Sequence, residues 1–202
     1  MRGLPGFLLF LMLLVPVSGS AGEWGGGTVG VYADAVGSYC QIRDIPGTRT
    51  LYVIQKLTIG SISARFRIEL SSGFTGTLVG FHSPFSAVAG DPLTDVTVTY
   101  DNTCLTGSIE ILSLQFLLIG TSQECSWVRV AAHPGSVDGQ IDTYNCALAR
   151  APAEWGGIHV QSDPLRWCPD AGNPEFMFYC RPYTPPLPVE PSTWGAVKAL
   201  YR

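Results

Sequence analysis

Three histidines, His82, His133 and His159, are the residues with which this chain could carry out acid–base chemistry. A hydrolase of the serine type requires one of them beside a nucleophile and an acid. The sequence has neither a G-x-S-x-G nor an H-E-x-x-H motif, which would bring such groups together. His159 alternates with Ile158 and Val160 and is therefore predicted to face solvent. The motifs give no catalytic residue, and a triad assembled from distant positions stays open as an alternative.

The cysteines are suited either to disulfide formation or to metal binding. Zinc sites usually contain a close C-x-x-C pair, and the sequence has none. An even number of cysteines in an exported chain is typical of disulfides instead. The six cysteines are Cys40, Cys104, Cys125, Cys146, Cys168 and Cys180.

The disulfide pairing is predicted from a β-hairpin centred near Gly135. If residues 126–132 pair with residues 139–145 about that centre, Cys125 and Cys146 lie opposite each other at a separation that suits a bridge. The last two cysteines flank a short loop, which favours a local bridge, and the first two remain. Other connectivities stay open. The predicted set is Cys125–Cys146, Cys168–Cys180 and Cys40–Cys104.

Two groups of side chains are candidates for ligand binding. Asp91, Asp95 and Asp101 cluster around one predicted strand and could supply oxygen ligands to calcium, the one cofactor that the sequence leaves open. The alternative is that they are ordinary turn residues. Aromatic residues are frequent in the last third of the chain, where exposed rings would suit sugar or polymer binding, and core packing is the alternative. The predicted binding residues are Trp155, Trp167, Tyr179 and Tyr183.

Residues 1–21 predict export. Arg2 precedes an apolar run from Phe7 to Val15, and small residues before Ala21 offer a signal-peptidase site. The run is too short to span a membrane comfortably, so no stable span is expected after cleavage, and a single N-terminal anchor is the alternative. Cleavage removes Arg2 from the 12 basic residues and leaves 11 against 16 acidic residues, a net charge of −5. An acidic chain without a basic run argues against nucleic acid as a partner. The predicted location is extracellular or periplasmic, with attachment to the cell surface open.

The mature domain, residues 22–181, is predicted to be all-β: an antiparallel β-sandwich of about nine strands stapled by disulfides. Ile62–Leu70 is the clearest strand, because apolar residues alternate strictly with Ser63, Arg65, Arg67 and Glu69. Ser108–Ile119 is apolar on both faces and is therefore predicted to be a central strand. The other predicted strands are 28–34, 50–57, 75–81, 95–100, 126–132, 139–145 and 157–161.

The composition changes after Cys180. Residues 182–191 contain five prolines and are predicted to form an extended linker. Residues 192–202 form a tail in which a short helix would place Trp194, Val197 and Tyr201 on one face. So short a helix is unstable alone and would need a partner. The residues predicted to be recognised in the tail are Trp194, Lys198, Tyr201 and Arg202.

Several short motifs carry a resemblance. The run Val29–Asp34 followed by Cys40 and Ile45-Pro46-Gly47 resembles the opening of secreted bacterial proteins that have no assigned activity, as does the region around Tyr100 and Cys104. The tail, with its STWGxxKALYR pattern, is similar to an ending that recurs on secreted bacterial proteins. The strand series around residues 107–120 resembles cohesin-type and carbohydrate-binding sandwiches at the level of fold. This resemblance implies a fold and assigns no catalytic residue.

These observations predict an exported, non-catalytic β-sandwich that acts as a binding module or as part of a surface or extracellular assembly. The expected partner is a protein or a polysaccharide at the cell surface. A carbohydrate-binding module is the first alternative, which exposed coplanar aromatic rings would favour. A secreted hydrolase is the second, which a histidine bonded to aspartate and serine in a cleft would favour.

Overall fold

The computed structural model describes residues 25–161, which form twelve β-strands and contain no helix. The prediction of an all-β sandwich is therefore confirmed. Within this range there is no helix long and apolar enough to cross a membrane. The strands are β1 (Thr28–Tyr32), β2 (Gln41–Arg43), β3 (Gly47–Ser61), β4 (Ser63–Leu70), β5 (Thr77–His82), β6 (Ala87–Asp91), β7 (Asp95–Thr99), β8 (Leu105–Leu118), β9 (Ser126–Ala131), β10 (Ile141–Tyr144), β11 (Arg150–Trp155) and β12 (Gly157–Gln161).

The strands form two layers around one core. The first layer has the order β11-β1-β3-β8-β5, and the second contains β2-β12-β9-β4, with β7 and β6 continuing beyond β4. β10 pairs with both β4 and β11, so hydrogen bonding is continuous from one layer to the other. β1 packs against β9 and β12 without pairing with either, which places the core between the layers.

β4 has the alternation that the sequence predicts. Ala64, Phe66 and Ile68 are at most 2% exposed and lie in the core. Arg65 and Arg67 point to the opposite face and are half-buried. The strand therefore has one dry and one wet face, and the wet face is free to carry a site.

β8 differs from the prediction because it contains a β-bulge. Its partner β3 pairs Val53 with Leu112 but Ile54 with Glu110, so Ile111 is the extra residue. A bulge reverses the phase of the alternation. Ile109 and Ile111 therefore join Leu112 and the apolar residues after it in the same core, and the other face is polar or exposed. The strand is central, as predicted, but the prediction of two apolar faces was wrong.

The predicted disulfides Cys125–Cys146 and Cys40–Cys104 were wrong, because Cys104 is bonded to Cys146 with a Cα–Cα distance of 5.4 Å. The reason is the topology around β4. β9 pairs with β4 at Arg67–Leu70, whereas β10 pairs with β4 at Ser63–Arg65, so β9 and β10 lie end to end and form no hairpin. Cys40 and Cys125 are disulfide-bonded as well. The predicted Cys168–Cys180 bridge lies outside the described residues.

A series of buried hydrogen bonds crosses the core. Tyr100 is fully buried, and its hydroxyl donates a hydrogen bond of 2.8 Å to Gln55 Oε1. The Gln55 Nε2 group donates in turn to the carbonyl of Gly26 at 2.7 Å. Burial raises the pKa of Tyr100 well above its usual range, so its hydroxyl is protonated and can donate at neutral pH.

Replacing Tyr100 by phenylalanine should lower the free energy of unfolding by about 1–3 kcal/mol, because it leaves the buried Gln55 Oε1 without its donor. Urea denaturation of the two proteins measures the difference. Tyr144→Phe is the matched control: this tyrosine is 38% exposed, so its loss should change stability by less than about 0.5 kcal/mol. Equal losses in the two variants would contradict this account of the buried hydrogen bonds.

Candidate functional site

Charged and aromatic side chains meet on the wet face of β4 and β9. Alternation along β4 places Arg67 and Glu69 on this face, and β9 adds Trp127 and Arg129. The strands pair Arg67 with Ala131 and Glu69 with Arg129. Trp155, at the end of β11, reaches the same surface. We call Arg67, Glu69, Trp127, Arg129 and Trp155 the Arg–Trp face.

Arg129 lies at the centre of the Arg–Trp face. Its guanidinium is 4.2 Å from the ring centroid of Trp127 and 4.8 Å from that of Trp155. Cation–π contacts of this kind stabilise by roughly 0.5–2 kcal/mol each, depending on exposure. Arg129 Nε also donates a 2.7 Å hydrogen bond to Glu69 Oε2. Three neighbours therefore fix the orientation of this side chain.

Gly157 allows β12 to approach Arg129 closely. A Cβ atom at this position would lie 2.6 Å from the Cβ of Arg129 and 2.8 Å from the carbonyl oxygen of Val128. Any side chain here would push β12 and β9 apart. The glycine therefore helps to keep the Arg–Trp stack in place.

Arg67 has weaker contacts than Arg129. Among the described residues its hydrogen bond is one of 3.4 Å from a terminal guanidinium nitrogen to Glu69 Oε1. Its Nε is buried and has no hydrogen-bond partner. The side chain as a whole is 39% exposed. Since a guanidinium has five N–H donors, most of those on Arg67 remain available.

A shallow pocket of about 420 Å³ adjoins the Arg–Trp face. Arg67, Glu69, Arg129 and Trp155 line one part of it. The loop between β9 and β10 lines the rest with His133, Pro134, Ser136 and Gly139. Pockets that combine apolar walls with a few directed polar groups are the usual form of ligand sites.

An ion-pair network holds this loop. Arg150 binds Asp138 through two hydrogen bonds of 2.8 and 2.6 Å and also donates to Asp142. The guanidinium holds the pKa of Asp138 well below its usual range. Asp142 also accepts a 2.7 Å hydrogen bond from His133, whose side chain is buried. Arg150 thus holds the β10 end of the loop that forms the pocket wall, and Asp142 connects it to His133 at the β9 end.

The His133–Asp142 pair resembles part of a catalytic triad but lacks the third contact. The backbone N–H of Gly135 donates to His133 Nδ1 at 3.1 Å, which places the ring proton on Nε2, towards Asp142. Both ring nitrogens are therefore engaged. Ser136 Oγ donates to the carbonyl of Gln140 at 2.7 Å rather than to the histidine. In a serine hydrolase the second nitrogen would accept the proton of the nucleophile.

The other two histidines lie away from this pair. His82 is exposed at the end of β5 in the other layer, opposite Ser113. His159 is only 6% exposed, so the prediction that it faces solvent was wrong. It does point away from the core, but β12 is flanked by β9 and β2, and Trp127 and Gln41 are its cross-strand neighbours. Burial lowers the pKa of His159, because it disfavours the charged imidazolium.

The predicted calcium ligands do not share a site. Asp91 and Asp95 are paired at one end of the β6–β7 hairpin, whereas Asp101 bonds Ser86 beyond the other end. Asp95 is bound by Arg65, with a 2.9 Å bond from Nε, and this contact lowers its pKa. Asp91 accepts the backbone N–H of Leu93 at 2.7 Å, as turn aspartates do. The described residues contain no group of three or more His, Cys, Asp or Glu side chains that could hold a metal ion.

Of the predicted aromatic binding residues, Trp155 lies in the pocket. Sequence reasoning missed Trp127 and Arg129, and it assigned Arg67 only to a wet face. The signal for Trp127 and Arg129 was the alternation of residues 126–131, but their proximity to Trp155 depends on strand crossings that no local pattern encodes. Outside the described residues lie Trp167, Tyr179, Tyr183, Trp194, Lys198, Tyr201 and Arg202, together with the predicted signal peptide and linker.

Comparisons with known proteins give a likeness in structure only. No protein-family model and no curated protein matches the chain. A cohesin module from a Clostridium perfringens family 33 glycoside hydrolase has a TM-score of 0.46 and 9% identity, covering 66% of this chain and 98% of that one. The cohesin–dockerin complex Coh-OlpA-Doc918 from Clostridium thermocellum has a TM-score of 0.43 and 10% identity, covering 66% of this chain and 99% of that one. The seventh ScaB type I cohesin from Pseudobacteroides cellulosolvens has a TM-score of 0.40 and 8% identity, covering 70% of this chain and 95% of that one. At this level the likeness assigns neither a family nor a function.

Proposed function

We propose that this chain is a non-catalytic protein-binding module and that the Arg–Trp face is its contact surface. The observation that carries the proposal is the Trp127–Arg129–Trp155 stack beside a pocket on a half-buried face. Tryptophan and arginine are the residue types that dominate the energetics of protein interfaces. Since Glu69 and two rings already orient Arg129, little side-chain entropy is lost on binding. With the predicted signal peptide, the module would work outside the cell, in a surface or extracellular assembly.

The arrangement of the rings favours a protein over a polysaccharide. Sugar recognition requires an open aromatic face on which a pyranose ring can lie. Arg129 covers one face of each indole at the Arg–Trp face. Trp155 also packs partly against the hydrophobic core. A sugar ring that stacked on Trp155 would have to displace one of these contacts.

The polar groups around the pocket favour binding over catalysis. His133 has both ring nitrogens engaged, and Ser136 donates to a backbone carbonyl. Asp138 and Asp142 are held by Arg150. None of these four side chains forms a pair of nucleophile and general base of the kind that covalent catalysis needs. Their hydrogen bonds fix the pocket wall in one conformation.

A capture experiment tests the proposal. Oxidised wild-type protein, Trp127→Ala and Arg49→Ala are immobilised and exposed to the surface-protein fraction of the cells that make the protein. Arg49→Ala is the matched control, because Arg49 is exposed on β3 in the other layer. Thermal melts of each variant establish that it is folded. We expect a trypsin-sensitive component that wild type and Arg49→Ala retain and that Trp127→Ala loses.

Two results would overturn the proposal. One is equal capture by Trp127→Ala and wild type, which would place the contact surface elsewhere. The other is loss of the captured material after periodate oxidation of its sugars but not after trypsin, which would make the module carbohydrate-binding.

A further inference from the structure

The geometry points to a carboxylate-binding site at Arg67: we infer that the pocket accepts an acidic group of the partner polypeptide, either a Glu or Asp side chain or a C-terminal carboxylate. This inference rests on the proposed function and names the chemistry that its surface recognises.

Arg67 lacks a close counterion on the Arg–Trp face. Arg67 and Arg129 are two cations that share one anion, Glu69. Glu69 binds them unequally, since its contact with Arg129 is 2.7 Å and its contact with Arg67 is 3.4 Å. Within these three side chains one positive charge is in excess, and Arg67, which has the longer contact with Glu69, carries it.

The nearby carboxylates are already engaged by other side chains. Asp138 and Asp142 lie in and behind the β9–β10 loop, and Arg150 and His133 take up their hydrogen-bonding capacity. Asp95 is engaged by Arg65 on the same face of β4. Asp138 and Asp142 share the cation Arg150, and Asp95 is bound by Arg65, whereas among the described residues Arg67 has no carboxylate that is as close.

Arg67 also has unsatisfied hydrogen-bonding capacity. A buried donor without an acceptor costs about 1–3 kcal/mol, and Arg67 Nε is such a donor. A carboxylate is the acceptor that matches the planar guanidinium fork with two parallel hydrogen bonds. A ligand carboxylate that turned the guanidinium towards the pocket would satisfy the fork and release Nε from its buried position.

The shape of the pocket around Arg67 suits an acidic side chain or chain end. Its cross-strand partner is Ala131, a small residue that leaves room above the strand. Pro134 and Trp155 supply apolar walls. The volume of about 420 Å³ suits the apolar stem and the acidic head of one side chain or chain end. Arg129 cannot take the place of Arg67, because Glu69 and two indole rings hold it.

Calorimetry and NMR titration of the full oxidised chain test the inference with defined probes. The probes are N-acetyl-hexaglutamate amide, N-acetyl-hexaglutamine amide, and N-acetyl-trialanine with either a free carboxylate or an amide end. Trigalacturonate represents an acidic polysaccharide. The variants are Arg67→Gln, Arg67→Lys and the control Arg49→Gln, each checked by thermal melting.

We expect hexaglutamate or the trialanine acid to bind at least 10-fold more tightly than its uncharged counterpart, and the affinity to fall between 50 and 500 mM salt. Arg67→Gln should weaken this binding at least 10-fold, Arg67→Lys should weaken it less, and Arg49→Gln should leave it unchanged. The Nε–H resonance of Arg67 should shift on titration. Preference for hexaglutamate or for the trialanine acid identifies which source of carboxylate the site takes.

Unchanged binding in Arg67→Gln, or equal binding of the charged and uncharged peptides, would overturn the inference. Tighter, Arg67-dependent binding of trigalacturonate than of either peptide would also overturn it, in favour of an acidic polysaccharide. If Trp127→Ala abolishes capture of the partner while Arg67→Gln has no effect on any probe, the carboxylate site is wrong and the proposed contact surface stands.

Discussion

Replacing Phe66 by aspartate should prevent this domain from folding. Phe66 is fully buried in the centre of β4, opposite Val96 of β7. Loss of the ring alone costs about 3–5 kcal/mol, and an unpaired buried carboxylate adds several more. The sum is comparable to the whole stability of a typical domain, about 5–15 kcal/mol. We therefore expect no cooperative unfolding transition in circular dichroism or in urea titration of the oxidised variant.

Arg67→Asp is the matched control on the neighbouring position of the same strand. The Arg67 side chain is 39% exposed, and its ion pair with Glu69 is long at 3.4 Å. Loss of such a pair costs on the order of 1 kcal/mol, so this variant should fold. Equal behaviour of the two variants would contradict this assignment of faces, and unfolding of Arg67→Asp alone would mean that the register is shifted by one residue, which exchanges the two faces.

The sequence predicts the parts of the fold in which a local pattern is enough. β4 and β7 alternate strictly, and both have the buried and half-buried faces that the alternation implies. Three strands were missed: Gln41–Arg43, Ala87–Asp91 and Arg150–Trp155. The first has only three residues, and the last contains Pro152, which usually argues against an internal strand.

Features that depend on distant pairing were not predictable in the same way. The Ile111 bulge exists because β8 must keep its apolar residues in one core along 14 residues, and no single residue marks it. β9 and β10 follow each other in sequence, which favours a hairpin, yet both pair with β4 instead. On its other edge β9 pairs with β12, and β10 pairs with β11. The arrangement therefore depends on strands that lie later in the sequence.

In the candidate site, too, local patterns were predictable and distant pairings were not. The pattern of residues 62–70 places Arg67 and Glu69 on a wet face, and the aromatic bias points to Trp155. Arg129 joins these residues only because β4 pairs with β9, which brings it next to Glu69 across a sequence separation of 60 residues. Sequence reasoning could therefore identify side chains capable of binding but not the face on which they meet.

Removal of the disulfide between Cys104 and Cys146 should greatly lower the stability of the protein. The bridge closes a sequence separation of 42 residues, and a loop of that length predicts about 4 kcal/mol of stabilisation from the entropy of the unfolded chain. The double variant Cys104→Ala, Cys146→Ala should therefore lose about 4 kcal/mol in urea denaturation, and its melting temperature should fall by roughly 8–16 °C. Digestion without reduction, followed by mass spectrometry, should yield a peptide pair joined through these two residues.

Gly60 supplies a control that is specific to this pairing. A Cβ atom on Gly60 would lie 2.6 Å from the Cys146 sulfur and 3.2 Å from the Cys104 sulfur, so the backbone here passes directly beneath the bridge. Gly60→Ala should therefore destabilise the oxidised wild type more than it destabilises the Cys104→Ala, Cys146→Ala background, in which the sulfurs are gone. Equal penalties in the two backgrounds would contradict this placement of the bridge. A peptide that joins Cys125 to Cys146 would contradict the pairing itself and restore the hairpin that the sequence favours.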